Sequence, residues 1–173
     1  QNVIDRLEQW ILNRRDGNWS FEIKTSGLDS FSRPPQNLSD AYIVWILTSI
    51  GNGTGIQTEI QAVVDKANDN EDNYLRALAA NILYNVGRTQ EAKALANQIV
   101  DDQDTQTGEV KRKETSVVRS QSLSLNIETT ALATLAWLND PDGDFSAAAD
   151  LGADYIVSYI KGGTFGSTQG TIL

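Results

Sequence analysis

Seven stretches of the chain repeat their apolar residues at helical spacing, and none alternates apolar and polar residues long enough to predict a strand. The first, residues 3–14, puts Val3, Leu7, Trp10 and Ile11 on one stripe and runs into an Asp16-Gly17 turn. The second, 38–50, is apolar almost all round: Tyr42, Ile43, Val44, Trp45, Ile46 and Leu47 follow in succession before Gly51 stops it. The third, 56–68, is amphipathic, with Ile56, Ile60, Val63, Val64 and Ala67 set against Gln57, Glu59, Gln61, Asp65 and Lys66. The fourth, 74–86, is again mostly apolar and ends at Gly87. Thr89 is placed to cap the fifth, which runs to 101 with Ala92, Leu95, Ala96 and Ile99 as its stripe. The sixth, 127–138, starts after Asn126 as its cap and carries Ala131, Leu132, Leu135, Ala136 and Trp137. The seventh, 145–160, follows a turn over 139–144 and spaces Leu151, Tyr155, Ile156 and Tyr159 along one face.

The fold class predicted is all-α, and the alternation of the helices predicts more. The second, fourth and sixth helices are apolar on most faces, whereas the third, fifth and seventh are amphipathic. Two layers accommodate this, an inner row enclosed on all sides and an outer row with one face in water. An α/α toroid of helical hairpins has that pattern, and a four-helix bundle would make every helix amphipathic. The expectation is a single domain over 1–173, forming an incomplete ring of about seven helices. A helical-repeat module competes, since Gly87-Arg88-Thr89-Gln90-Glu91-Ala92 resembles the inner turn of a tetratricopeptide repeat. No second copy recurs at the period of about 34 residues that such a repeat requires. The longest connection, 102–125, is read as a surface excursion with a short hairpin around Thr107-Gly108.

Composition narrows the chemistry. The chain has 173 residues, 40% of them hydrophobic, and a formal net charge of −9. An acidic surface repels phosphate backbones, which argues against nucleic acid as a partner. The basic run Lys111-Arg112-Lys113 is flanked by Glu109 and Glu114 and reads as a solvated loop. No apolar run approaches the ~20 residues of a membrane span, so membrane insertion is not expected. Cys, His and Met are absent, which removes thiolate nucleophiles, imidazole bases and most zinc sites. Ser120, Ser122 and Ser124 therefore have no histidine to activate them. Asp140, Asp142 and Asp144 alternate like the opening of a calcium loop, but the glycine falls too early and the twelfth position is Leu151 in place of a bidentate Glu. The stretch is read as a turn, with Pro141 and Gly143 bending it and Asp144 capping the next helix. Trp10, Trp45 and Trp137 are assigned to the core, and Trp19 to a turn where it can fold back over the helix it follows. On this reading the chain is not an enzyme and has no catalytic, cofactor-binding or metal-binding residues.

These turns carry a family resemblance. Gln9-Trp10-Ile11-Leu12 followed by Asp16-Gly17-Asn18-Trp19-Ser20-Phe21 resembles the helix-then-turn unit of thioester domains in α2-macroglobulins and complement components. Leu38-Ser39-Asp40-Ala41-Tyr42-Ile43-Val44 is similar to the helix opening that follows it. Ile127-Glu128-Thr129-Thr130-Ala131-Leu132-Ala133 resembles the family's Glu-Thr-Thr-Ala helix start. Gly162-Gly163-Thr164-Phe165-Gly166-Ser167-Thr168-Gln169 resembles its Gly-Gly-Phe-Gly-Ser-Thr-Gln turn, where Phe165 is expected to plug one helix and Ser167 or Thr168 to cap the next. Trp19 or Phe21 is expected to be the plug in the turn at 16–21.

The resemblance implies an α/α toroid within a secreted or cell-envelope (periplasmic) protein of the protease-trapping or defence type. Its partners would be proteases or target surfaces, together with other domains of the parent. The family's thioester needs a Cys within Gly-Cys-Gly-Glu-Gln, which this chain lacks. The stretch 22–35 also lacks the His that some complement members use to redirect the thioester toward hydroxyls, so any parental thioester would be of the amine-preferring type. With no initiator Met and a new apolar period beginning at Thr171-Ile172-Leu173, the chain is expected to be a fragment. A terpene cyclase or prenyltransferase shares the helix-to-turn unit, but it would need an Asp-x-Asp-Asp cluster or a Cys/His zinc site, and neither occurs.

Overall fold

Helices form where the apolar periods lie. The structure, a computed structural model, describes residues 2–22, 35–51, 53–111 and 123–159. In chain order the helices are α1 (Val3–Leu12), α2 (Gln36–Gly51), α3 (Gln57–Asp69), α4 (Asn73–Asn85), α5 (Thr89–Asp101), α6 (Leu123–Leu138) and α7 (Ser146–Ser158). Among the described residues there is no strand, only two isolated antiparallel bridges, Arg15 with Phe21 and Gln103 with Val110.

The helices pack as two rows. Helix α4 lies between α2 and α6, while α3 and α5 pack against it from outside, and α7 packs on α6. Ten of the thirteen residues of α4 and eleven of the sixteen of α6 are buried, against four of thirteen in α5 and in α7. For these four helices the contrast is the one the apolar periodicity predicts, but α2, with seven of sixteen residues buried, is hardly more enclosed than α3, with five of thirteen. In α3, all five stripe residues, Ile56 through Ala67, are buried. Ala77, Ala79 and Ala80 of α4 and Ala131, Ala133 and Ala136 of α6 are all buried.

The second helix is less enclosed than its sequence suggests. Leu38, Ala41, Val44 and Leu47 are buried, but Ile46 and Ile50 are exposed and Trp45 is only half-buried. In α1 no residue is buried at all. Trp10, expected in the core, is 56% exposed, with the Arg14 guanidinium 3.9 Å from its ring centroid. An isolated helix of ten residues has too few neighbours to bury a stripe, so its amphipathic pattern alone could not place Trp10 inside. Of the three tryptophans assigned to the core, Trp137 is fully buried, its Nε1 donating to the Ala96 carbonyl at 3.3 Å.

Several helix starts also differ. Arg88, not Thr89, occupies the cap of α5, and no side chain bonds there. Helix α6 begins at Leu123, so Asn126 lies inside its first turn and instead donates from Nδ2 to Glu109 Oε1 at 2.7 Å. Phe145 occupies the cap of α7, and Asp144 is engaged elsewhere. The connection after α5 is more than a surface excursion. Val110 is fully buried and Gln103 nearly so, its Nε2 donating to the Gly108 and Ala148 carbonyls at 3.1 and 3.0 Å. The hairpin expected at Thr107-Gly108 does close, with Gly108 N donating to Asp104 O at 2.7 Å. On α7 the face toward α6 consists of Ala148, Gly152 and Tyr155, while Leu151 turns out to water.

The turn after α1 is closed by two left-handed residues, Gly17 (φ 79°) and Trp19 (φ 65°). Asp16 Oδ1 accepts from the Asn18 and Ser20 amides at 2.7 and 3.2 Å. Phe21, at 2% exposure, is the plug, while Trp19 points its surface to water at 60% exposure. The plug is held by the buried Asp40 of α2. Its carboxylate accepts from the Phe21 amide (3.2 Å), the Ser20 hydroxyl (2.8 Å) and Gln36 Nε2 (2.9 Å). The second plug expected, Phe165 with its turn at 162–169, lies outside the described residues, as does most of the loop 22–35.

Gly152 makes a test of the α6–α7 contact. A Cβ there would lie 2.4 Å from Thr134 Oγ1. Alanine gains about 1 kcal/mol of helix propensity, and overpacking a tight contact costs about 1–3 kcal/mol. Gly152→Ala is therefore expected to lower the urea midpoint, and adding Thr134→Ala to recover most of the loss. A midpoint raised by Gly152→Ala alone would contradict this packing.

Candidate functional site

Three carboxylates converge where α6 turns into α7. The turn is built by its own sequence: Gly143 takes φ 72°, Asp140 Oδ2 accepts from the Asp144 amide at 2.8 Å, and the Ser146 hydroxyl donates to the Gly143 carbonyl at 2.6 Å. Asp140, Asp142 and Asp144 thereby bring oxygens within 4.8 Å of one another. A cation stands among them, and it belongs to the chain. Lys93 of α5 places Nζ 3.3 Å from Asp140 Oδ1, 2.6 Å from Asp142 Oδ2 and 2.5 Å from Asp144 Oδ2. The ammonium donates to Asp142 and Asp144 and forms an ion pair with Asp140.

The electrostatics follow from that geometry. Hydrogen bonds to Asp142 and then Asp144 hold the Lys93 ammonium well above the usual lysine range. Asp140 is buried, whereas Asp142 and Asp144 are exposed. Beside Asp140, the Tyr84 phenol of α4 is pushed up to about 12, first by burial and then by that carboxylate's charge. The cluster therefore ties α5 to the α6–α7 turn. The stretch acts as a turn, as its sequence suggests, but Asp144 serves Lys93 and not the cap of α7. Lys93 was not legible as its partner, since nothing in an amphipathic helix announces a carboxylate turn in a distant loop.

A second polar cluster gathers around Glu109. Its Oε1 accepts from Asn126 Nδ2 at 2.7 Å and from the Tyr155 hydroxyl at 2.9 Å, and Lys111 Nζ lies 3.5 Å from Oε2. Burial first, and then this bond, push the Tyr155 phenol far up. The cluster joins the segment after α5 to α6 and α7. Of the basic run, Lys111 is exposed as expected, while Arg112 and Lys113 lie outside the described residues, as do Ser120 and Ser122. Ser124 is in the first turn of α6.

A cleft opens beside the turn after α1. Arg15, Gly17, Trp19, Thr58 and Glu59 line a volume of about 340 Å³. Arg15 Nη1 donates to the Gly55 carbonyl at 2.8 Å and lies 3.5 Å from Glu59 Oε1, while the Thr58 hydroxyl donates to Glu59 Oε2 at 3.2 Å. Glu59, read from its helix pattern as solvent-facing, is only 5% exposed. The guanidinium that buries it comes from the turn after α1, out of reach of any pattern within α3.

The fold and these sites define an all-α protein whose acidic α6–α7 turn is braced by one lysine of α5. No protein-family model, curated protein or solved structure matches the chain. Among the described residues, no helix is long and apolar enough to cross a membrane.

Lys93, Tyr84 and Tyr155 all keep their protons to higher pH in the folded chain than in the unfolded one, where lysine and tyrosine titrate near about 10. The folded state consequently binds more protons in alkali, and stability falls as pH rises above about 10. Urea midpoints are expected to stay level from about pH 7 to 9 and to drop steeply beyond. In Lys93→Met the alkaline drop should be shallower, because one of the three groups is gone. The same variant should start from a lower midpoint at neutral pH, because the three facing carboxylates lose their counter-charge. A variant whose pH profile overlays the parent's would show that Lys93 does not neutralise the turn.

Proposed function

We propose that the chain is part of a macroglobulin- or complement-like protein of the protease-trapping or defence type, secreted or in the cell envelope. There it acts as a non-catalytic scaffold with a protein-interaction surface. The observation that carries the reading is Asp40. Two of the stretches on which the resemblance rests, 16–21 and 38–44, meet through its buried carboxylate, which holds Ser20 and the plug Phe21. They thus form one physical unit. The third stretch supports the same reading, since every residue from Ile127 to Ala133 is buried in the inner row. The fourth, 162–169, lies outside the described residues. An α/α toroid needs an inner row of apolar helices and an outer row of amphipathic partners. The packing of α2, α4 and α6 inside α3, α5 and α7 is compatible with a segment of such a ring.

The reading is tested by immobilising the chain and passing over it trypsin, elastase and thermolysin, each with its active site blocked. Saturable binding of at least one is expected, without hydrolysis of ester or peptide substrates by the chain. Turnover of a prenyl or terpenoid diphosphate in the absence of protease binding would replace this reading with that of a toroid enzyme.

A further inference from the structure

The turn after α1 contains a residue that folding does not ask for. Position 19 requires a left-handed backbone, as position 17 does, and there glycine supplies it. Glycine or asparagine at 19 would satisfy the same turn, whereas a bulky L-residue in that conformation costs about 1–2 kcal/mol. Trp19 is strained in this way and also 60% exposed, while the neighbouring Phe21 does the plugging. Its ring has no aromatic or cation partner among the described residues, unlike Trp10, which Arg14 covers. Strain kept at an exposed aromatic that lines a cleft is the pattern of a binding surface.

The cleft's other walls decide what would bind. Apart from Trp19 and Gly17 they are polar: a guanidinium, a hydroxyl and a nearly buried carboxylate. An apolar side chain laid on the indole would desolvate all three without pairing them. A cation would meet Arg15, and an anion would meet Glu59 and a chain of net charge −9. A neutral ring with an apolar face and a hydroxyl rim meets none of these objections. Among the described residues, the bonds that Arg15 makes use Nε and Nη1, which leaves Nη2 able to donate. Among the same residues each Glu59 oxygen accepts one bond and keeps further acceptor capacity. The volume of about 340 Å³ is at the lower end for small-molecule sites.

We propose that this cleft binds a neutral sugar ring, stacked on the Trp19 indole, with its hydroxyls shared among Arg15, Thr58 and Glu59. The inference stands independently of the macroglobulin reading, because it uses only the geometry of this turn and the start of α3.

The four tryptophans provide the test. The ¹⁵N-labelled chain is titrated with the methyl glycosides of glucose, galactose, mannose and N-acetylglucosamine, with argininamide and acetate as charged comparators. At least one sugar is expected to move the Trp19 indole N–H resonance saturably in the millimolar range, while those of Trp10, Trp45 and Trp137 stay in place. Trp19→Gly, which suits the left-handed backbone and should fold, removes the binding. Trp10→Ala, which deletes the other exposed indole, leaves it unchanged. The proposal is overturned if no sugar shifts Trp19 up to its solubility limit, if Trp10 and Trp19 move in parallel, or if argininamide or acetate binds more tightly than every sugar.

Discussion

A helix as apolar as α4 can face water along no side, and the arrangement of its neighbours follows from that. Four helices are needed to cover it, α2 and α6 laterally and α3 and α5 from outside, and all four contact it. Each covering helix then has to hide an apolar stripe of its own. Amphipathic α3 and α5 manage this with a single face, whereas α6 is itself apolar and needs α7. The row stops being enclosed at α2, whose Ile46 and Ile50 remain in contact with water. Among the described residues, helix α1 packs on the core through the half-buried Ile11 and Leu12.

Burying two adjacent apolar helices leaves polar groups between them that must be paired. Asn81, fully buried in α4, donates from Nδ2 to the Leu132 carbonyl of α6 at 3.0 Å and accepts from Asn139 at the end of that helix, also at 3.0 Å. Thr130 Oγ1 accepts from the buried Val110 amide at 2.9 Å, and Gln103 bonds to both Gly108 and Ala148. These bonds fix the register of α6 against α4 and anchor the non-helical segment after α5. They explain why a stretch rich in Asp, Thr and Gly is partly buried.

Charge is handled in two ways. At the α6–α7 turn three carboxylates meet one ammonium of the chain itself. At the cleft a single carboxylate is nearly buried beside one guanidinium, and a strained indole stands in the open next to them. The first arrangement is closed on itself. The second retains hydrogen-bonding capacity and an apolar platform.

The apolar periods by themselves determined that the chain is all-α, how many helices lie within the described residues, and that α4 and α6 are enclosed, but not that α2 is left partly open. That information is local, since 3.6-residue spacing and the width of the apolar stripe are properties of a single helix. Helix α3 shows how far this reaches, with all five stripe residues buried as their spacing required. What the spacing could not supply is the identity of neighbours. Trp10 and Leu7 form a proper stripe on a helix of which no residue is buried. Glu59 lies on a polar face, yet is buried by Arg15 from another element. Helix starts at Thr89, Asn126 and Asp144 carried suitable caps, but those side chains or their helices were engaged differently once the chain had folded. Lys93 and the carboxylates of the α6–α7 turn, like Trp19 and the start of α3, come together only because packing brings distant segments to one point, and such long-range pairing leaves no periodic trace in the sequence.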